Sequence, residues 1–559
     1  MPTLTRRTVL AGVTAAAVTA CFRKPEPDAV ATVPVPTEPN VLQPAWLETQ
    51  MDGTPVRVRG YNGQIPGPTL TFTPGSDVTV KLQNRLVRRG PGHDKPVHDL
   101  DVAHDFEGTN LHFHGLDIRP HLFDPLGTED PKAKMISVQP GENFDYTFHV
   151  PADHPSGLYW YHPHLHGSTA VQAVSGMAGP IIVKGPIDEV PEIKAAREVL
   201  MAIQDIGLFP SDEPGDTRWT YNPQPRMIWQ TVGGIVQEYN KEQKTFVNSV
   251  PPLKGGYTTG DYALRYLLLN SQPFFKETHN PGFPTSPIAQ QLAVQTVVEM
   301  AQGEIVRFRV LNGCSDNYMP IHVEGHDMYV LALDGVNFLT PQVMKSVQLA
   351  PGNRVEFLVQ AVAATGTYNI VQEAQAVQYL QSDRKVIASI SVTDATKAMA
   401  LPARLPTPTR YYPLIEQKQM DRPVRTIRFS TKFRGPLNPQ VGIDFMINGV
   451  LYTETVAGVE VDLDAIEEWH LVLGKGESEG HPFHIHVNHF EVISVNGVLQ
   501  PAGVLKDTIW IPKPTATEDS VLVLRMRFKE FTGKSVFHCH ILPHEDTGMM
   551  SNFTIRRKA

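Results

Sequence analysis

Hydrophobic and polar residues alternate in short runs along most of the chain, and glycine or proline ends many of these runs. Residues 56–86, VRVRGYNGQIPGPTLTFTPGSDVTVKLQNRL, show both features. Since neighbouring side chains of a β-strand point to opposite faces, a period of two residues predicts strands with one buried face. Short strands separated by glycine and proline turns are typical of β-sandwiches.

The same order of elements recurs later in the chain. Residues 303–335 and 467–497 each contain an apolar strand, a loop, a strand with histidine and a glycine turn. Internal repeats at this spacing indicate related structural units, and a chain of 559 residues exceeds the size of one hydrophobic core. The sequence therefore predicts an all-β protein of three related β-sandwich domains, near 41–190, 191–400 and 401–559.

Composition narrows the classes of function. The chain is 41% hydrophobic and 19% charged and contains 48 prolines, which suits a soluble, loop-rich β protein. Its formal net charge is −9, and it has no long basic run. Because phosphate binding needs clustered lysine and arginine, we expect no nucleic-acid partner.

Residues 1–40 predict an export signal followed by a proline-rich tether. The pair Arg6 and Arg7 precedes apolar or small residues at 8–20, a stretch too short to cross a bilayer. A twin arginine is typical of signals that export folded proteins, so we expect the periplasm or cell envelope as the location. The residues before Cys21 fit either simple cleavage or lipid attachment at Cys21, which would be the one contact with a membrane.

Four short segments hold eleven of the 22 histidines, and ten of these are candidate metal ligands. The segments are LHFHG, WYHPHLHG, HPFHIHVN and FHCHILPHEDTGMM, with candidates His112, His114, His162, His164, His481, His484, His486, His538, His540 and His544. Each segment contains an HxH pair, and residues two apart on a strand point to the same face, about 7 Å apart. The four pairs offer more imidazoles than one ion needs, so they predict a cluster of several metal ions.

The last segment also predicts a second metal site. If His538 and His540 face one way along a strand, Cys539 faces the other way. A thiolate, two histidines and a weak axial methionine form a blue-copper site. The chain supplies this set as Cys539, His481, His544 and Met549. One peptide segment would then join the two sites, with Cys539 as both ligand and electron path.

The three cysteines differ in their neighbours. Cys21 lies in the predicted export segment, and Cys314 lies in RVLNGCSDNY without an adjacent histidine. A disulfide between Cys314 and Cys539 would remove a ligand from the predicted copper site. We therefore interpret Cys314 as a small buried hydrophobic residue.

These motifs, together with YNGQIPGPTL early in the first domain, resemble those of the multicopper oxidases, a laccase-like family with three cupredoxin domains of Greek-key β-sandwich fold. The resemblance covers nearly the whole chain after the export segment. It implies four copper ions per chain. The implied ligands are His481, Cys539, His544 and Met549 for type 1 copper, His112 and His484 for type 2 copper, and His114, His162 and His540 with His164, His486 and His538 for the type 3 pair.

The resemblance also assigns roles to the domains. Some relatives have lost ligands and act as scaffolds without enzyme activity, whereas this chain keeps the expected residue type at every implied ligand position. The middle domain has His322 and His326 at a spacing that matches no motif. We therefore interpret it as a copper-free structural domain.

The family reaction couples one-electron oxidation of a reducing substrate to reduction of dioxygen to water, which consumes four electrons and four protons. The resemblance indicates Glu545, directly after His544, as a proton donor and Asp124, in RPHLFDPLG, as a second acidic group near the type 2 copper. Glu545 and Asp546 could equally orient ligands from behind.

The substrate is the least determined feature. A laccase-like oxidation of phenols or aromatic amines is one reading, and oxidation of cuprous ion for copper tolerance is the alternative. Cuprous oxidases of the family carry a methionine-rich insertion, whereas the 16 methionines here are scattered, which favours an organic reductant. A copper-binding protein without turnover is a third hypothesis, and it would not consume dioxygen. We expect a monomer.

Overall fold

The computed structural model describes residues 38–88, 105–211, 213–221, 229–232, 235–240, 245–248, 262–278, 288–362, 364–377, 380–420, 422–434 and 442–557. The predicted export signal with Arg6 and Arg7, and the lipid site at Cys21, lie outside the described residues. The described elements form three units in chain order, each with its own apolar core.

The first unit packs two small sheets around a core that includes Phe113, Tyr146 and Tyr161. The sheets have the strand orders β1-β5-β7 and β4-β9-β8-β6. Its elements are β1 (Val41–Leu42), β2 (Pro44–Met51), β3 (Thr54–Tyr61), β4 (Leu70–Phe72), β5 (Asp77–Gln83), β6 (His112–His114), β7 (Asn143–His149), β8 (Gly157–His162), α1 (Thr169–Val174) and β9 (Gly179–Val183), followed by a 3-10 turn (Pro186–Glu189) and α2 (Pro191–Ala195).

The middle unit packs a large sheet against a five-stranded sheet, around a core that includes Phe308, Phe357 and Cys314. Its strands are β10 (Arg197–Pro210), β11 (Trp219–Thr220), β12 (Trp229–Val232), β13 (Ile235–Asn240), β14 (Thr245–Asn248), β15 (Leu264–Leu269), β16 (Gln272–Thr278), β17 (Ile288–Gln291), β18 (Val297–Gln302), β19 (Ile305–Asn312), β20 (Met319–Val323), β21 (Met328–Leu333), β22 (Val336–Met344), β23 (Val347–Leu349), β24 (Arg354–Gln360), β25 (Gly366–Gln372), β26 (Gln375–Val377), β27 (Leu380–Ser382) and β28 (Lys385–Thr396).

The third unit follows two 3-10 turns (Thr409–Tyr411 and Gln417–Gln419) and packs two sheets around Trp469, Phe483 and Phe537. The sheets have the orders β30-β29-β32-β38-β34-β35 and β31-β40-β39-β33-β37. Its elements are β29 (Arg425–Arg434), β30 (Gly442–Ile447), β31 (Val459–Asp462), β32 (Ile466–Leu473), β33 (His481–Ile485), β34 (Phe490–Val495), β35 (Val498–Leu499), β36 (Leu505–Lys506), β37 (Thr508–Ile511), β38 (Ser520–Arg527), β39 (Gly533–Cys539), α3 (Leu542–Asp546) and β40 (Met550–Arg556).

The units share apolar surface, which fixes their relative positions. Leu165 of the first unit packs with Tyr452 and Val536 of the third unit. Trp160 of the first unit packs with Leu311 of the middle unit. The hairpin β2–β3 also joins the middle unit, because β3 pairs with β11, which pairs with β10. The sequence pattern of a single domain does not predict this strand pairing between units.

The fold prediction is confirmed, since the described elements are almost entirely strands arranged in β-sandwich units. The domain boundaries at 190 and 400 stay predictions. Cys314 and Cys539 are both buried and free, so the interpretation of Cys314 as a core residue is confirmed. Among the residues that the structure describes, no helix has the length and apolar character needed to span a membrane.

Candidate metal centres

Two pairs of antiparallel strands carry the histidine motifs. In the first unit, β6 pairs with β8, and His112 lies opposite His162. In the third unit, β33 pairs with β39, and His484 lies opposite His538. Side chains directly opposite each other on a sheet lie about 5 Å apart, so each strand pair gathers imidazoles on one face. The partner histidines His164, His486 and His540 come just after a strand ends.

The two patches of imidazoles meet across the interface of the first and third units. All eight residues of the four HxH pairs are buried, with at most 1% of their surface exposed. Three pairs of ring nitrogens span the interface: His112 Nε2 and His484 Nε2 at 3.3 Å, His114 Nδ1 and His540 Nε2 at 3.3 Å, and His164 Nε2 and His538 Nε2 at 3.0 Å. The chain thus brings ring nitrogens from distant segments to hydrogen-bond distance.

The eight imidazoles form three groups whose ligand atoms lie within 4.8 Å of one another. The groups are His112, His114 and His484; His114, His162 and His540; and His164, His486 and His538. The last two groups have the composition predicted for the type 3 pair. The first holds both residues predicted for the type 2 copper together with His114, which takes part in two groups.

The predicted second site lies on the other side of β39. The Cys539 Sγ is 3.6 Å from His481 Nδ1 and 3.7 Å from His544 Nδ1. The two histidine nitrogens are 3.3 Å apart. Met549 is fully buried in the same apolar cluster as Cys539, and its carbonyl accepts a hydrogen bond from the Cys539 N–H at 3.0 Å. Cys539 therefore belongs to a different group from His538 and His540, as period-two geometry predicts.

The donor atoms fit metal ions better than they fit one another. The Nδ1–H groups of His162, His484 and His538 donate to the backbone carbonyls of Pro163, Asp507 and Cys539, which leaves each Nε2 with a free lone pair. His162 Nε2 is buried and has no hydrogen-bond partner among the described residues. Burial lowers the pKa of all eight imidazoles, so they are neutral. Neutral imidazoles with converging lone pairs suit copper, as does the thiolate of the second site.

The structure places Asp124 at the surface rather than among the buried histidines, and its role near the type 2 copper stays a prediction. Asp124 is exposed at the surface, and its described hydrogen bond is the one that its backbone N–H donates to the Lys134 carbonyl. One buried carboxylate beside the histidines is Asp507, whose Oδ1 is 3.1 Å from His114 Nε2. Burial alone would raise the pKa of Asp507, but Arg354 and His114 hold it well below its usual range. Asp507 lies in LKDTIW, where no motif marks it.

Glu545 lies where the sequence places it, directly behind a ring of the cluster. It is fully buried, and its Oε1 is 3.3 Å from His164 Nδ1 and accepts a hydrogen bond from Thr169 Oγ1 at 3.1 Å. The neighbouring Asp546 accepts backbone hydrogen bonds from Gly167 and Ala170 at the start of α1. Burial raises the pKa of both carboxyl groups, and the nearby Asp546 raises that of Glu545 further.

Two further residues at the cluster were missed by sequence reasoning. His121 Nε2 accepts the Phe113 N–H at 3.0 Å and lies 3.3 Å from His112 Nδ1, so it favours the ring orientation that turns His112 Nε2 inward. Trp160 stacks on His162 with ring centroids 4.3 Å apart. Trp160 is the first residue of the WYHPHLHG motif, which is a usable signal, whereas a lone histidine such as His121 gives none.

The two histidines that the sequence singles out in the middle unit have protein partners. His322 Nδ1 lies 3.1 Å from Glu373 Oε1, and His326 Nδ1 donates to the Glu324 carbonyl at 2.8 Å. Within the described ranges, no group of metal-ligating side chains includes either histidine.

Family comparisons agree with the geometry. Models described as multicopper oxidase match residues 45–91 and 104–187, residues 243–394, and residues 419–559. The chain belongs to the multicopper oxidase family. The resemblance found in the sequence is thereby confirmed, and the chain is an oxidoreductase that uses dioxygen and copper.

Individual relatives of this multicopper oxidase are distant. It is 24% identical over 503 residues to the multicopper oxidase mco of Staphylococcus haemolyticus, covering 89% of this chain and 83% of the relative. It is 23% identical over 535 residues to a laccase of Bacillus subtilis, covering 89% and 90%. The solved structure of a Campylobacter jejuni multicopper oxidase, described as a metallo-oxidase, superposes with a TM-score of 0.62 at 21% identity, covering 94% of this chain and 93% of that one.

Proposed function

We propose that the chain binds four copper ions and oxidises a small organic reductant, a phenol or an aromatic amine, while it reduces dioxygen to water. The type 1 copper is held by His481, Cys539, His544 and Met549. The type 2 and type 3 coppers are held by the three histidine groups. The observation that carries the proposal is the segment at 538–540, in which Cys539 belongs to one centre and its two neighbours belong to the other.

This segment supports electron transfer between the centres. Copper bound at four positions supplies one-electron redox chemistry, enough to collect the four electrons that dioxygen requires. An electron that reaches the Cys539 thiolate has only a short run of covalent bonds to cross before His538 or His540. Burial of the whole segment keeps water away from this path. The type 1 group is the more accessible one, because its His544 side chain is 13% exposed whereas the eight histidines of the cluster are at most 1% exposed.

Glu545 supplies protons on the dioxygen side. Its Oε2 is buried and has no hydrogen-bond partner among the described residues, which favours the protonated carboxyl group. Its Oε1 lies beside His164, so the acid is held within the histidine cluster. Asp546 fixes the position of α3 by accepting N–H groups at the start of α1. Glu545 is the acid that the geometry favours most as the proton donor.

Oxidation of cuprous ion is the second candidate. It is favoured by the solved relative from Campylobacter jejuni, which is described as a metallo-oxidase. Thioether ligands suit cuprous ion, and the 16 methionines of this chain are not gathered in one insertion. We therefore retain the organic reductant as the proposed substrate.

The deciding experiment compares steady-state dioxygen uptake by the copper-loaded protein with a methoxyphenol and with cuprous ion under matched conditions. We expect the higher kcat/KM with the methoxyphenol. A higher value with cuprous ion would replace the organic substrate by the metal ion. Absence of uptake with both donors, at full copper content, would favour a copper-binding protein without turnover.

We also propose that the protein works outside the cytoplasm as a monomer, exported through its twin-arginine segment. Fractionation of cells that express the intact gene, with lysine in place of Arg6 and Arg7 as the control, tests export. Mass spectrometry of the mature N-terminus separates lipid attachment at Cys21 from simple cleavage.

A further inference from the structure

The middle unit contributes no histidine to the three groups, yet its backbone touches them. Gly352 lies between β23 and β24 with φ +89°. A Cβ atom at this position would lie 3.0 Å from His114 Cε1 and 3.1 Å from His540 Cδ2. The segment around Gly352 therefore forms a wall of the histidine cluster, and a side chain there would push on two of the rings.

Two residues further on, Arg354 reaches all three units. It is fully buried, and its Nε donates to the Leu158 carbonyl of the first unit at 3.2 Å. Its Nη2 donates to the Asp334 carbonyl of the middle unit at 3.0 Å. Its Nη1 and Nη2 donate to the two carboxylate oxygens of Asp507, in the third unit, at 2.9 and 2.6 Å. Such a bidentate pair fixes the plane of the carboxylate as well as its position.

Asp507 passes this constraint on to two rings of the cluster. Its Oδ1 accepts a hydrogen bond from His114 Nε2 at 3.1 Å, and its backbone carbonyl accepts one from His484 Nδ1 at 2.9 Å. The hydroxyl of Thr508 donates to Asp507 Oδ1 at 2.8 Å. Gly115 leaves room for this arrangement, because a Cβ there would collide with Arg354 and Asp507.

These contacts decide which nitrogen of His114 carries a proton. With Nε2–H donated to Asp507, the lone pair of His114 lies on Nδ1, which is 3.3 Å from His540 Nε2. With Nδ1–H donated to Asp507, His484 likewise keeps its lone pair on Nε2, 3.3 Å from His112 Nε2. A hydrogen bond to the outer nitrogen of a metal-binding histidine generally sets the tautomer and the ring orientation.

We propose that Arg354 and Asp507 are positioning residues, through which the middle unit holds His114 and His484 in the orientation that binds copper. The inference rests on the proposed function, since it takes the histidine groups to be the copper cluster. It gives the unit without ligands a part in copper retention. Arg354 orients Asp507, and Asp507 orients the two rings.

The competing explanation is that Arg354 only holds the units together. Arg309 is a matched control, because it is also fully buried in the middle unit and also forms ion pairs across a unit boundary. It contacts Asp188 at 2.8 Å and Glu356 at 3.3 Å. None of its described contacts involves a histidine of the cluster.

The test uses copper-loaded full-length protein and the variants Asp507→Asn, Arg354→Gln and Arg309→Gln. Each is challenged with a competing chelator, and the copper that remains is counted separately for the two centres. The blue absorption reports the type 1 copper, and electron paramagnetic resonance reports the type 2 copper. The unfolding midpoint of the metal-free protein reports general stability.

We expect Asp507→Asn and Arg354→Gln to lose cluster copper at about 10–100-fold lower chelator concentration, with the blue absorption retained. The type 2 resonance should change in both variants and should stay that of the wild type in Arg309→Gln. Wild-type copper retention and resonance in Asp507→Asn, or the same loss in Arg309→Gln, would overturn the proposal.

If Arg354→Gln does not fold, Arg354→Lys decides. Lysine keeps the charge but cannot form the bidentate pair, so an altered type 2 resonance in a folded Arg354→Lys protein supports the proposal, and an unchanged resonance overturns it. Failure of the proposed function gives a different result, since the wild-type protein itself would then lack cluster copper or dioxygen uptake.

Discussion

Strand β20 of the middle unit and strand β33 of the third unit have the sequences MPIHV and HPFHI, with proline second and histidine fourth in both. His484 of β33 is fully buried and lies opposite His538. His322 of β20 lies opposite Val371, and its side chain is 25% exposed and paired with Glu373. A histidine at this strand position therefore becomes part of a metal group only when the neighbouring strand also supplies one.

The middle and third units also have one buried cysteine each, and the surroundings of these two cysteines differ in the same way. Cys314 packs among apolar residues of the middle core, whereas Cys539 faces His481 and His544. Burial raises the pKa of both thiols in the metal-free protein. Only at Cys539 do imidazole nitrogens lie close enough for a metal ion to stabilise the thiolate.

The largest difference between the two units is expected when their buried cysteines are replaced. Cys539→Ser exchanges a soft thiolate for a hydroxyl that rarely ionises, so we expect loss of the blue absorption and a fall in turnover by orders of magnitude with any donor. His538 and His540 belong to the other groups, so up to three coppers should remain. Absorption spectra, copper analysis and dioxygen uptake measure these effects.

Cys314→Ser is the control and should stay blue and active. A blue Cys539→Ser protein, or a colourless Cys314→Ser protein, would contradict the assignment of the two cysteines.

Glu545 lies beside the histidine cluster and Glu373 lies beside His322, and the two side chains differ in burial. Glu545→Gln keeps the size of a fully buried side chain but removes its proton. We expect reoxidation of the reduced enzyme by dioxygen to slow by about 10²–10⁴-fold at unchanged copper content, the usual contribution of a general acid. Stopped-flow absorption at the blue band measures the rate.

Glu373, the partner of His322, has a side chain that is 43% exposed and serves as the matched control. Glu373→Gln should reoxidise like the wild type. Equal rates in the wild type and Glu545→Gln would exclude Glu545 as the proton donor.

The histidines at the fourth position of the two strands, His484 and His322, can be replaced in the same way. His484→Ala removes one of the ligand nitrogens of the first group. We expect retention of the type 2 copper to weaken by at least about 10–100-fold, which is the loss typical for residues that only support a metal ligand. His322→Ala should leave copper retention unchanged and alter the free energy of unfolding by no more than about 0.5 kcal/mol, as for other surface positions. Chelator titration and thermal unfolding distinguish them, and equal copper loss in both variants would refute the comparison.

The smallest effect is expected for the buried methionines. Met549→Leu keeps the volume but removes the thioether, so the protein should stay blue while the type 1 reduction potential rises, because the axial ligand tunes that potential. Met319→Leu, at the start of β20, should leave the potential unchanged. A redox titration followed at the blue band measures the reduction potential of both variants. An equal potential in Met549→Leu and the wild type would show that Met549 is not a ligand.

How far the sequence predicts this molecule depends on how local each feature is. Alternation in segments such as residues 56–86 predicts strands because the side-chain period is set within one strand. The HxH motifs and Cys539 are equally local, so their grouping could be anticipated. The pairing of β3 with β11 could not, because it depends on how two units dock.

The supporting residues of the cluster show the same limit. The resemblance to the family points to Glu545, which adjoins His544 in the chain, and to Asp124 in the loop after His114. It does not point to Asp507, which lies in no motif. Asp507 reaches His114 across 393 residues, and its partner Arg354 comes from a third unit. No short-range pattern reports contacts of that kind.

The histidine pairs that span the first and third units are separated by 372 to 426 residues along the chain. During synthesis, His112 and His114 leave the ribosome long before the strand that carries His538 exists. A chain interrupted before His484 lacks the third-unit residues of every group that spans the interface, and a chain interrupted before His538 still lacks part of two groups. In the proposed assignment, copper loading of the whole cluster is therefore a late event, because it requires completion and docking of the entire polypeptide.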